Sequence, residues 1–193
     1  MASMAHARYL EAMAHRLICA LALTVLGCPA PDPEPEPSPE QQVLAASDGW
    51  IRVTDAGVDL FAEMRPDDAF CDDSGYYVDP LTQNFEVETA VCDYLTVRQA
   101  TRVAIEDGDV IEIRGYHDQL TADAPATGYV GLILDGELLW TYEPAIPGDS
   151  AYFGDEAVVD RTIPAGAELQ LHIHNHGPNT WELAEILVGP AEP

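Results

Sequence analysis

Residues 43–193 predict an all-β fold, an antiparallel β-sandwich of the jelly-roll kind. Three observations lead there. Short runs rich in β-branched and aromatic residues recur, turn formers separate them, and no stretch of this region keeps a helical period. In chain order the runs begin with WIRVT at 50–54, FEVETAV at 85–91, YLTV at 94–97 and TRVAIE at 101–106. Then come VIEIRGYH at 110–117, YVGLILD at 129–135, LLWTY at 138–142, AVVDRTI at 157–163, ELQLHIHN at 168–175 and TWELAEILV at 180–188. Asp107-Gly108, Asp135-Gly136 and Pro164-Ala165-Gly166 punctuate them. Asp135-Gly136 is the clearest hairpin turn, because glycine takes the positive φ that a two-residue turn needs. Within VIEIR, alternation sets Ile111 and Ile113 on one face and Glu112 and Arg114 on the other, as a half-buried strand requires. His117 shares the parity of the two isoleucines.

Upstream of this domain the chain carries an export address. LICALALTVL at 17–26 has no charge or turn former and follows His15 and Arg16. It is too short to span a bilayer, which needs ~20 apolar residues, and it suits the core of a secretory signal. Val25-Leu26-Gly27-Cys28 resembles the lipobox of bacterial lipoproteins, with Leu26 where a small residue is more usual. The resemblance implies acylation of Cys28 and cleavage before it. Residues 1–27 are then the signal peptide, with Met13 as an alternative start. Residues 28–42 form an acylated cysteine and a Pro/Glu-rich linker, and the protein is exported and held to the membrane of the cell envelope by lipid on Cys28. The linker places proline at every second position from 29 to 39. Proline fixes φ and removes the backbone donor, so this stretch joins no helix or sheet. In an extended polyproline form, at ~3.1 Å per residue, it reaches roughly 40 Å.

The formal charge is −26, with 34 Asp and Glu against eight arginines and no lysine. That balance excludes nucleic acid as a partner, since its backbone demands a positive surface. The excess belongs mainly to residues 43–193, which hold 29 acids and six arginines. Of the four cysteines, Cys71 and Cys92 remain in the exported domain, and an even pair there predicts a disulfide. A loop of that size contributes ~3 kcal/mol in the chain-entropy model.

Two clusters could hold a metal. In His172-Ile173-His174-Asn175-His176, alternate strand positions share a side, so three imidazoles line one face, opposite Leu169, Leu171 and Ile173. Neutral imidazole suits zinc, copper or nickel, and His117 is the candidate fourth ligand, although its parity with the apolar isoleucines argues for a different orientation. The second cluster is Asp67, Asp68, Asp72, Asp73 and Asp79, whose carboxylates are of the kind calcium takes, without the EF-hand order. No serine sits in a nucleophile setting, and among so many carboxylates no pair is distinguished, so no catalytic constellation names a reaction.

GDVIEI at 108–113, YVGLILDGELLW at 129–140, PAGAELQLHIHN at 164–175 and HGPNTWELAEIL at 176–187 resemble the strand order of galactose-binding-like β-sandwiches. That fold includes calcium-dependent bacterial galactose lectins and many carbohydrate-binding modules. The resemblance implies ligand sites on loops at one end, here with Asn175, Asn179 and Thr180 as oxygen donors. Trp181, at the start of the last strand, is the candidate either for stacking on a sugar or for burial in the core. The chain also resembles bacterial lipoproteins that share its Cys92-Asp93-Tyr94-Leu95-Thr96 segment and His174-Asn175-His176-Gly177 turn, which implies an address and a fold. Trp50 and Trp140, with Tyr76, Tyr77, Tyr116, Tyr129, Tyr142 and Tyr152, would stack on sugars wherever they are exposed. The expected role is non-catalytic ligand binding with carbohydrate favoured. A transition-metal domain or metalloenzyme, and an envelope module that binds a protein partner, are the alternatives. An open groove with exposed Trp or Tyr favours sugar, convergence of the histidines favours metal, and a large exposed apolar patch favours protein.

Overall fold

A computed structural model describes residues 40–191 of the chain. The expected signal at 1–27, Cys28 and the linker through 39 lie outside the described residues. The strands are β1 (Gln42–Ala45), β2 (Ile51–Arg52), β3 (Tyr76–Val78), β4 (Phe85–Glu88), β5 (Tyr94–Ala100), β6 (Asp109–His117) and β7 (Ala126–Thr127). They continue as β8 (Tyr129–Leu134), β9 (Glu137–Tyr142), β10 (Ala145–Ile146), β11 (Ala151–Val158), β12 (Glu168–His174), β13 (Thr180–Leu183) and β14 (Ile186–Pro190).

Every pairing is antiparallel. One sheet runs β2-β5-β12-β8-β9. A second runs β1-β14-β6-β13-β4-β3, with β11 along the remaining edge of β6, and β7 pairs β10 in a separate two-stranded sheet. The pleat explains which residues meet between the sheets. Leu169, Leu171 and Ile173 of β12 and Leu95 and Val97 of β5 point inward, against Ile111 and Ile113 of β6 and Trp181 and Leu183 of β13. The β8–β9 hairpin turns through Asp135 (φ 51°) and Gly136 (φ 81°), with Leu134 facing Glu137 across it. Two successive positive φ values define the two-residue turn that matches strand twist.

Three runs fold differently from their expected form. TRVAIE is a loop that carries only the isolated Ile105–Ile163 bridge: Thr101 N donates to Ala167 O, outside any strand, and Arg102 N donates to Leu44 O of β1. AVVDRTI is mostly a turn, and the strand there lies earlier, at β11. That strand was illegible because Gly154, Asp155 and Glu156 are all exposed on a sheet edge and show no apolar alternation. TWELAEILV breaks at Ala184-Glu185 into β13 and β14, which follow one another along the same edge of β6.

Cys71 and Cys92 form a disulfide across 21 residues of sequence. It fastens the acidic 66–75 segment to the connection before β5. A second fastening covers the outward face of the β5–β12–β8 sheet, where residues 53–65 cross as a strap. Gln170 Oε1 accepts from Leu60 N (3.1 Å) and Gln170 Nε2 donates to Val58 O (2.9 Å). Phe61 stacks on His172 with ring centres 4.7 Å apart. Gly131 leaves the room for this, since a Cβ there would lie 2.8 Å from the Phe61 ring. No helix among the described residues is long and apolar enough to cross a membrane.

Candidate functional site

Of the four histidines of the expected metal site, His172, His174 and His176 follow one another with ring centres 6.2 and 5.1 Å apart, and His117 does not join them. His117 points into the core from β6, with its ring 4.9 Å from Trp181. Its Nδ1 donates to the Asp118 carbonyl at 2.9 Å, and its Nε2 lies 3.1 Å from the Tyr142 hydroxyl. His172 and His174 lie on the outward face of the other sheet, under the strap, and His176 is exposed beyond the strand end. His172 is fully buried; its Nδ1 bonds Thr96 Oγ1 (2.9 Å) and its Nε2 has no partner. Burial first, then the charge of His174, pushes its pKa down to about 3. Burial, then His176, lowers His174 as well. Among the described residues no group of three or more His, Cys, Asp or Glu side chains is placed to hold a metal ion.

The five aspartates of the expected calcium cluster act singly. Asp72 Oδ1 accepts from Ser74 N (2.9 Å), Asp73 Oδ1 from Arg52 and Tyr76, and Asp79 Oδ1 from Leu81 N and Thr82 N. Those backbone donors hold the Asp72 and Asp79 carboxyls below the usual range. Asp67 and Asp68 are exposed in a turn.

Asn175 and Asn179 tie three loops together at one end of the sandwich. Thr89 Oγ1 accepts from Asn175 Nδ2 (2.8 Å) and from Asn179 N (2.9 Å), while Asn179 Oδ1 accepts from Thr121 N (2.6 Å) and Asn179 Nδ2 donates to Thr121 O (3.1 Å). Thr180 Oγ1 donates to Glu88 (3.2 Å). Trp181 is 0% exposed, so the stacking role expected of it fails: its ring faces the core rather than solvent because β13 is a central strand and alternation turns position 181 inward. Beside these loops lies an open groove of about 900 Å³ bordered by Phe70, Asp93, Thr121, Asp123, Asn175 and His176. Its asparagine is already committed to Thr89 and Gly177 through Nδ2.

Phe70 at that groove is exposed, and the exposed tyrosines lie elsewhere, on the outward face of the larger sheet. Register places Tyr152 of β11 opposite Tyr116 of β6, Tyr116 opposite Glu182 of β13, Glu182 opposite Glu86 of β4, and Glu86 opposite Tyr77 of β3. These five residues make one row from edge to edge, all on the side away from the core. Tyr152 is 88% exposed and its ring lies 5.1 Å from that of Tyr116. At the other edge the Tyr77 hydroxyl donates to Glu86, which pushes the Tyr77 pKa up to about 12. Burial, with Glu88 and Glu182 alongside, raises the Glu86 carboxyl, while the Tyr77 bond acts in the opposite sense. Asn84 Nδ2 donates to Glu182 Oε2 at 3.0 Å. The row thus offers aromatic surfaces at both ends and the half-buried Glu182 carboxylate between them, with Glu86 buried under the Tyr77 hydrogen bond, a combination that suits a ligand with apolar faces and many hydroxyls. The tyrosines were legible as candidates. Glu86 and Glu182 were not, since only the pairing of distant strands distinguishes them from the other acids.

No protein-family profile matches the chain, and no curated protein shows significant similarity to it. Solved structures that resemble it include TmCBM27, a carbohydrate-binding module studied for mannan recognition, at 10% identity and a TM-score of 0.46 over 79% of this chain and 96% of that one. The N-terminal cellulose-binding domain of β-1,4-glucanase C from Cellulomonas fimi is 17% identical at a TM-score of 0.43, over 82% and 99%. The C-terminal CBM6 of LamC, a laminarinase of Zobellia galactanivorans, is 9% identical at 0.43, over 78% and 99%.

Proposed function

We propose that this protein is a non-catalytic carbohydrate-binding β-sandwich, and that the tyrosine row on the outward face of the larger sheet is where sugar binds. The observation behind this reading is the pair formed by exposed Tyr152 and half-buried Tyr116, in register with Glu182. Tyrosine presents a large flat surface at small conformational cost, and the neighbouring carboxylates accept from sugar hydroxyls. The domain sits, in this reading, on a Pro/Glu-rich stalk acylated at Cys28 after export, so that its face is held off the envelope membrane. Its excess of acids favours that stance by repelling anionic lipid.

Affinity electrophoresis tests the binding. Gels containing soluble neutral polysaccharides should retard the wild type, and the Tyr116→Ala/Tyr152→Ala double variant should bind at least about tenfold more weakly with its near-ultraviolet circular dichroism otherwise native. A protein retarded by none of the polysaccharides contradicts the reading. The anchor has its own test. In a bacterial host, radiolabelled palmitate should enter the wild type and not Cys28→Ser, and equal labelling of the two rules out acylation at Cys28.

A further inference from the structure

The row has a length, a direction and a charge, and together they specify what kind of sugar fits. Five strands in register separate Tyr152 from Tyr77 by four interstrand steps, which at ~4.8 Å each make roughly 19 Å. A pyranose in an extended chain advances by about one such step. Both ends are edge strands, so nothing in the sheet extends the row further.

Charge narrows the ligand. Every arginine of residues 43–193 is already engaged: Arg52 by Asp73, Arg98 by Glu168, Arg102 by Asp48, Arg114 by Glu112, Arg161 by Glu137, and Arg65 over the Tyr94 ring. Arg114 lies two positions from Tyr116 on β6, and Glu112, also bonded by Gln41, takes its guanidinium. A uronate or sulfate laid along the row would meet Glu182 and Glu88, beside the buried Glu86, with no free arginine among the described residues to offset them, and like charges brought together cost affinity. Hydroxyl donors meet the same carboxylates favourably.

We propose that the row binds an uncharged oligosaccharide of about four sugar units, lying across the strands from Tyr152 to Tyr77. This rests on the carbohydrate reading above and adds ligand class, length and direction to it. Glu86 is a positioning residue that fixes Tyr77, and Glu182 with the tyrosines touches the ligand.

Isothermal titration of the full protein with gluco-, manno- and xylo-oligosaccharides of one to six units, and with tetragalacturonate as the charged counterpart, tests it. Affinity should rise at least about tenfold from disaccharide to tetrasaccharide, level off beyond, and be absent for tetragalacturonate. Tyr77→Ala, an exposed change on an edge strand, should weaken tetrasaccharide binding about tenfold and so remove the gain in affinity from disaccharide to tetrasaccharide. Full affinity already at the monosaccharide, equal affinity for tetragalacturonate, or an unaltered tetrasaccharide affinity in Tyr77→Ala overturns this inference while the carbohydrate reading stands. Absence of heat from every sugar overturns both.

Discussion

Alanine in place of Trp181 is expected to lower the free energy of unfolding by about 3–5 kcal/mol, the cost of emptying a fully buried aromatic site. The indole lies against rings from three strands: His117 of β6 at 4.9 Å, Phe153 of β11 at 5.8 Å and Tyr142 of β9 at 6.5 Å. It therefore joins the two sheets, and the surrounding rings cannot all move in to fill the space. Gly128 shows how closely the site is fitted, since a Cβ there would lie 3.0 Å from Trp181 Cζ2. For a domain whose total stability is about 5–15 kcal/mol, the loss leaves a protein close to unfolding at ordinary temperature. Urea denaturation followed by circular dichroism checks it, and Trp181→Phe should recover more than half of the difference. A midpoint unchanged in Trp181→Ala would mean that the indole does not sit between the sheets.

Acid should weaken the strap over the β5–β12–β8 face. His172 is buried as the neutral imidazole, with its pKa pushed from the ordinary 6.5 down to about 3. A depressed folded-state value means that its contribution to stability is complete above about pH 6.5, declines as the pH falls below that, and levels off near 3. The limiting loss is about 5 kcal/mol, with His174 acting in the same direction. The groups facing the pair are Tyr94 and Thr96 of β5, Tyr129 of β8, Phe61, Asp59 and Arg65 of the strap, and Asp93 and His176 beside His174. Acid also relieves the self-repulsion of a chain with net charge −26, and it favours Glu86, whose raised pKa makes protonation stabilising. A single pH curve therefore mixes opposing effects, whereas comparison with His172→Gln isolates the imidazole. At pH 7 the variant should be less stable by about 1–2 kcal/mol, having lost the Phe61 stack and the Thr96 bond, and by pH 4 the order should invert. A difference that stays constant with pH would show that His172 is not buried neutral.

These two residues also mark where the sequence was legible. Strand alternation alone placed Leu169, Leu171 and Ile173 inside and the histidines on the opposite side, and it set His117 with Ile111 and Ile113 in the core. The Asp135-Gly136 hairpin followed from backbone chemistry within two residues. Longer-range features left no such trace. Residues 53–65 have no period that announces a strap, so the histidine face read as one open to solvent or metal. Trp181 stood open between the core and a sugar-stacking surface, because its place on a central strand depends on partners β4 and β6 far away in the chain. Asn175 and Asn179 were visible as oxygen donors, but their bonds to Thr89 and Thr121 arise only when three loops meet. The tyrosine row is the extreme case. Its members are spread from position 77 to position 152 and onward to Glu182, and only strand order and register bring them into line.

The central claim is that this row recognises uncharged glycans, and a glycan array carrying neutral and acidic structures addresses it most directly. The wild-type protein should be retained by neutral glycans of four or more units and by none that are uronic or sulfated, and the Tyr116→Ala/Tyr152→Ala variant should lose that retention while keeping its fold. Retention on no glycan, retention confined to acidic ones, or equal retention of the variant would contradict the account.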